Sequence, residues 1–219
     1  MSTRVMVKVC GITEERDAQE AVHLGVDALG FDLRPGSPRH VDPELVHRIV
    51  SRLPVFVSTV GVFADEPLIR VLETARRAGV GILQFHGKES PSLCAGAAPY
   101  PWVRAFRVGP DFDEGDLSYY RTTTYLLDAR SENPAASDVP FEWRRARALA
   151  MHGRIVIAGN LEPSHIGLAI DDARPYGVDI LSEVEVAPGK KDLDRLELLL
   201  EAVRRAERRI SGEGTATTL

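Results

Sequence analysis

Cysteine is scarce in this chain of 219 residues: there are two, Cys10 and Cys94, far apart in sequence. Two distant thiols build no disulfide framework and suit a reducing, cytoplasmic compartment. The six histidines are scattered, and neither HxxxH nor CxxC spacing occurs, so no metal is expected. Long hydrophobic runs are missing too. None approaches ~18 residues, so no membrane span is expected. The start, Met1-Ser2-Thr3-Arg4, leads straight into a strand-like stretch and lacks a signal-peptide core. Basic charge is not in excess. A net charge of -5 offers no footprint for nucleic acid. With 44% hydrophobic residues, the chain suits one soluble domain with a sizeable core.

What is present is an alternation. Short apolar runs are each followed by a helical pattern. Strands are expected at 5–9, 28–33, 55–62, 80–85, 102–108, 125–128, 154–158 and 178–181. Helical patterns follow at 13–24, with Thr13 as the cap, then 43–52, 67–78, 90–97, a weak patch at 113–120, 141–151, 163–172 and 192–210. Apolar strands that alternate with helices indicate parallel strands buried on both faces. Eight such units predict an α/β fold, a closed (β/α)8 TIM barrel over residues 1–210, with an open doubly wound sheet as the rival. Residues 211–219 lack periodicity and read as a disordered tail.

In a parallel barrel, chemistry sits at the C-terminal ends of the strands. Strand one ends in Cys10 and Gly11, strand two in Asp32 and Arg34, and strand four in Gln84 and His86. Strand five offers Arg104 and Arg107, and strand six ends in Asp128. Gly159 and Asn160 follow strand seven, and Ser182, Glu183 and Glu185 follow strand eight. A thiol and a carboxylate across a barrel mouth form a base–acid pair. A thiol at a helix start can have a lowered pKa, and a carboxyl in an apolar rim a raised one. A strand-end cysteine can equally be core filling, Asp128 a loop cap and His86 a structural histidine. Cys94, beside Leu93 and Ala95, reads as packing.

Taken in order, several segments carry a resemblance: Lys8-Val9-Cys10-Gly11-Ile12-Thr13, Ser37-Pro38-Arg39, Val60-Gly61-Val62-Phe63, Gln84-Phe85-His86-Gly87, Leu126-Leu127-Asp128, Ala158-Gly159 and Pro188-Gly189-Lys190-Lys191-Asp192. The chain resembles the phosphoribosylanthranilate isomerase family of tryptophan biosynthesis. The resemblance implies a (β/α)8 barrel and an Amadori rearrangement of an N-glycosyl aminoaldose to an aminoketose. It implies Asp128 as the acid, Cys10 as the base, and Arg39 as the holder of the anthranilate carboxylate. No cofactor is implied. The expected partner is a small anthranilate-type molecule, on a monomer or homodimer. Residues assigned to substrate binding are Lys8, Asp32, Arg39, Gln84, His86, Arg104, Gly159, Asn160, Asp179, Ser182 and Glu183.

The chain departs from the family pattern where the family grips phosphate with glycine-rich loops. After strand six stands Pro134-Ala135-Ala136-Ser137-Asp138, after strand seven Gly159-Asn160, and after strand eight Leu181-Ser182-Glu183-Val184-Glu185. Two unit charges at 4 Å repel by ~4 kcal/mol at an effective dielectric of 20. Glu183 facing a phosphate would therefore weaken binding strongly, unless it turns to solvent or pairs with Lys190 or Lys191. Asp32 is expected to point inward if Gly30 does, where it would suit a hydroxyl or a cation; a pair with Arg34 or Lys8 is the equal alternative. Three readings follow. The first is the isomerase of the tryptophan pathway. The second is a paralogue using Cys10 and Asp128 on a different aryl-amine adduct, with or without a phosphate, in secondary metabolism. The third is a non-catalytic binding barrel.

Overall fold

The computed structural model describes residues 4–109, 112–129 and 142–212. Eight parallel strands form a closed barrel in chain order: β1 (Met6–Val9), β2 (Ala28–Asp32), β3 (Ser58–Phe63), β4 (Ile82–Phe85), β5 (Trp102–Arg107), β6 (Thr124–Asp128), β7 (Arg154–Ala158) and β8 (Gly177–Ile180). β1 pairs with both β2 and β8, which closes the ring and excludes the open doubly wound sheet. Around it lie α1 (Glu15–His23), α2 (Pro43–Val50), α3 (Leu68–Ala78), α4 (Pro91–Ala95), α5 (Trp143–Leu149), α6 (Ile166–Ala173) and α7 (Leu193–Ile210). The weak patch between β5 and β6 is a 3-10 helix, Glu114–Tyr119.

Strand alternation sorts the side chains into two cores. Val7, Val9, Leu29, Phe31, Leu83, Phe85, Leu127, Ile157, Val178 and Ile180 face outward and pack under the helices. α7 meets them with Leu196, Leu199, Leu200, Val203 and Ala206, the three-and-four spacing of one helical face. Each fully buried leucine there contributes about 2 kcal/mol. Inside the ring, Val103, Ala105, Leu126, Val156 and Ala158 form a small apolar plug. The charged residues Lys8, Asp32, Asp128 and Asp179 are buried on the same inner face, towards the C-terminal ends.

Two local expectations are corrected. β3 begins at Ser58, not at residue 55, because the Val57 N–H donates to the Pro54 carbonyl and closes a turn. That turn throws Val55 and Phe56 into solvent, at 90% and 96% exposure. Thr13 does not cap α1, which starts after Glu14. Its hydroxyl instead donates to the Gly189 carbonyl at 2.6 Å. That bond ties the β1 loop to a hairpin the sequence pattern did not reveal. The hairpin joins β9 (Glu185–Ala187) to β10 (Lys190–Lys191), after a 3-10 turn at Ser182–Val184. The expected tail past α7 falls mostly on residues 213–219, outside the described residues, as does the 134–138 segment.

α7 starts where the Asp192 carboxylate accepts from the Arg195 N–H. Asp192→Ala is expected to lower stability by about 1 kcal/mol, read as a lower urea midpoint with an unchanged slope. An unchanged midpoint would refute the cap.

Candidate active site

β1 ends at Cys10, whose N–H donates to the Ile180 carbonyl of β8. The next residue, Gly11, has φ +72, and a Cβ there would lie 2.6 Å from the Leu181 side chain and 2.9 Å from that of Arg39. Only glycine lets the chain turn away so sharply and leave the thiol at the mouth. Gly30 on β2 points inward, and a Cβ there would sit 2.7 Å from the Cys10 sulfur and 2.9 Å from Lys8 Nζ. The missing side chain is the space that the thiol and the ammonium occupy. Lys8 Nζ donates to both Asp179 oxygens, at 2.9 and 2.8 Å. Burial disfavours its charge, but Asp179 and Cys10 outweigh that and hold its pKa above the ordinary lysine value. Burial pushes the Cys10 thiol up. Lys8 draws it down, while Asp179 and Asp32 add to the rise. The expectation of a thiol with a lowered pKa at the helix start is therefore reversed, because desolvation of the thiolate exceeds the help from Lys8.

Asp128 ends β6, three strands from β1 around the ring by way of β7 and β8. Its Oδ2 lies 3.2 Å from His86 Nε2, and His86 Nδ1 lies 3.2 Å from Gln84 Nε2. The His86 ring bridges Gln84 and Asp128 through its two nitrogens. Gln84 and His86 thus orient the carboxylate. Arg107 stands beside Asp128 in strand register.

Arg39 is held in place by the chain itself. Glu185 takes its Nε on Oε1 and its Nη2 on Oε2 in a fork, at 3.0 and 2.6 Å. The same carboxylate accepts from Lys191 Nζ at 2.8 Å and from the Gly189 N–H at 3.1 Å. Burial opposes the Glu185 charge, yet Arg39 and Lys191 hold its pKa below the usual carboxylate range. Burial lowers the pKa of Lys191 in spite of Glu185. Glu185 was read from the sequence as a rim residue but not assigned to substrate binding, and Lys191, within a motif segment, was not assigned to the site. Asp32 points inward, as expected, and takes a fork from Arg34 at 2.8 and 2.6 Å and the Ser37 hydroxyl at 2.6 Å. Burial works against its charge, and those partners outweigh it and keep its pKa low. Lys8 is committed to Asp179, so the Asp32–Lys8 pairing does not form.

Two assignments land elsewhere. Arg104 is in register with Phe85, on the outer face of β5, and donates to the Phe85 and Gly87 carbonyls and to Glu89. Its odd position in the strand directs it into the helix layer, away from the mouth. Glu183 neither turns to solvent nor meets Lys190 or Lys191. Its two oxygens accept from the N–H groups of Leu181 and Leu161. Gly159 (φ 90) and Asn160 (φ 54) supply the left-handed turn that presents the Leu161 N–H, and Ser182 is exposed. Among the described residues, no group of three or more His, Cys, Asp or Glu side chains is placed to hold a metal ion.

A buried thiol and a buried carboxylate in contact with a histidine stand at the C-terminal mouth of a parallel barrel, the face where proteins of the (β/α)8 class place their chemistry. Residues 7–202 match the family model described as N-(5'-phosphoribosyl)anthranilate isomerase. The enzyme of that name from Geobacter metallireducens is 41% identical over 204 residues, covering 93% of this chain and 99% of its own. The crystal structure of phosphoribosyl anthranilate isomerase from Thermotoga maritima superposes with a TM-score of 0.85 at 35% identity, over 92% of this chain and 99% of that one. A structure of the isomerase in complex with reduced 1-(o-carboxyphenylamino)-1-deoxyribulose 5-phosphate gives 0.82 at 35% identity, with the same coverage. Another, of mutually generated monomers of the dimeric Thermotoga maritima protein, gives 0.80 at 34% identity, again with that coverage. The chain belongs to the N-(5'-phosphoribosyl)anthranilate isomerase family, and so to the aldose–ketose isomerases.

The raised pKa of Cys10 has a chemical readout. A free thiol titrates near 8.5. Alkylation of Cys10 by iodoacetamide is expected to be slow at neutral pH and to climb only above that value, with mass spectrometry separating it from Cys94. A rate that saturates below about pH 8 would show a thiolate at rest and refute the assignment.

Proposed function

We propose that this chain converts N-(5'-phosphoribosyl)anthranilate to 1-(o-carboxyphenylamino)-1-deoxyribulose 5-phosphate, with Asp128 as general acid and Cys10 as general base. The observation that carries the reading is the pair itself: both groups are buried, at the ends of β1 and β6, in a chain that belongs to this family. Asp128 gives its proton to the ribose ring oxygen as the C1–O bond breaks, which leaves an iminium between C1 and the anthranilate nitrogen. Cys10, as thiolate, takes the proton from C2. The C–H electrons form the enolamine and neutralise the iminium. Proton return to C1 and loss of the hydroxyl proton at C2 give the ketone. The iminium places a cation near Cys10, and Lys8 already stands beside it. Both favour the thiolate that burial resists. Arg39, clamped by Glu185 through Nε and Nη2, is suited to the anthranilate carboxylate through Nη1. The step belongs to tryptophan biosynthesis, and a cytoplasmic setting fits the two free cysteines.

Incubation with phosphoribosylanthranilate is expected to show loss of substrate fluorescence. Cys10→Ala and Asp128→Asn should each lower kcat by about a thousandfold, with folding intact by circular dichroism. Absence of turnover by the unmodified protein would overturn the reading.

We further propose a homodimer that seats the turn before β3 against the N-terminal face of a second copy. Val55 and Phe56 are adjacent, apolar and almost fully exposed. They stand at the same end of the barrel as a cavity of about 180 Å³ lined by Val60, Ile82, Leu126 and Val156. The dimeric Thermotoga maritima relative supports the assembly. Phe56→Asp is expected to shift sedimentation from dimer to monomer. A monomeric unmodified protein at micromolar concentration would refute the dimer.

A further inference from the structure

We propose that Glu183 determines specificity by competing with the substrate's phosphate: its carboxylate occupies an anion seat at the barrel mouth, and the phosphate must displace it to bind. The inference rests on the substrate reading above.

The seat consists of two backbone N–H groups. Leu181 donates to Glu183 Oε2 at 3.0 Å, and Leu161 donates to Oε1 at 3.3 Å. The two donors belong to different loops, one after β7 and one after β8, on the rim that carries Cys10 and Asp128. Peptide N–H groups that converge on one point make a concavity for an anion. Among the described residues no arginine or lysine pairs with Glu183, so backbone dipoles alone hold its charge. Asp128 meets His86, and three further carboxylates at this rim have cationic partners: Asp32 has Arg34, Asp179 has Lys8 and Glu185 has Arg39 with Lys191. Glu183 is also only partly buried, unlike those three. It is the one of the four that can leave its position without stranding a buried cation.

A phosphoribosyl substrate brings two anionic ends. Arg39, its fork held by Glu185, suits the carboxylate through Nη1, and the paired amides are a seat for the phosphate. Two anions cannot share that seat, because their repulsion is unscreened by any cation there. Binding is then an exchange, and the affinity for phosphate is reduced by the affinity of the seat for Glu183. A merely structural Glu183, capping its own 3-10 turn through Leu181, makes a different prediction: its removal would loosen the loop and weaken every ligand.

The test uses the full chain with Glu183→Ala and Glu183→Gln. The glutamine variant keeps the shape of the side chain if the alanine variant fails to fold. The readouts are the Ki of inorganic phosphate as a competitive inhibitor, the KM of phosphoribosylanthranilate and the KM of the ribosylanthranilate without phosphate. Glu183→Ala is expected to lower the first two by at least about tenfold, equivalent to about 1.4 kcal/mol, with a smaller fall for Glu183→Gln. The KM of the unphosphorylated compound should not move. If phosphate Ki and substrate KM stay constant or rise in both variants, the competition does not exist. A parallel change for phosphorylated and unphosphorylated substrates would also overturn it. Calorimetric titration with inorganic phosphate reads the seat without turnover. A chain that fails to isomerise phosphoribosylanthranilate but gains phosphate affinity in Glu183→Ala would refute the substrate reading and leave the seat standing.

Discussion

The buried ion pair between Lys8 and Asp179 is the constraint on which the rest of the mouth depends. It joins the first strand to the last, across the seam that closes the barrel. Removing one partner of such a pair costs about 3–5 kcal/mol, because an uncompensated charge is left in a low-dielectric interior. The pair therefore fixes the register of β1 against β8 and with it the position of Cys10 two residues on. Gly30 completes the arrangement by leaving room for both the ammonium and the sulfur. Lys8 is also the cation closest in kind to what a thiolate needs. One pair thus ties the closure of the barrel to the surroundings of the thiol.

The remaining charges at the mouth follow the same logic at lower cost. Arg39, Glu185 and Lys191 form a cluster that spans the β2 loop and the β9–β10 hairpin. Asp32, Arg34 and Ser37 form another within the β2 loop. Each holds a guanidinium in a fork, so rotamer freedom is lost during folding and not during binding. The His86 ring is fixed at both nitrogens, by Gln84 on one side and Asp128 on the other. Such a site is preorganised. Glu183 is the exception, held by two amides alone.

The fold was legible because apolar strands alternate with amphipathic helices along the whole chain, and that pattern fits few architectures. Its errors are instructive. Residues 55–57 have strand propensity, but the bond from Val57 to Pro54 makes them a turn, a choice that propensity does not encode. The β9–β10 hairpin is too short to show a period of two. Arg104 was assigned to the mouth as a charged residue of strand five, whereas the face it takes is set by register with Phe85. A shift of one residue separates the mouth from the helix layer.

The amino-acid sequence by itself determined the barrel, the places where its strands end, and the thiol and carboxylate that end β1 and β6. These are local properties: periodicity, a glycine after a strand, a charged residue where an apolar run stops. Only the tertiary structure decided the partners. Lys8 meets Asp179 across 171 positions and Arg39 meets Glu185 across 146, distances over which no local pattern carries information. The same holds for the pKa of Cys10, which is governed by how deeply the closed ring buries it, and for Glu183, whose two amide donors converge only once β7 and β8 lie side by side.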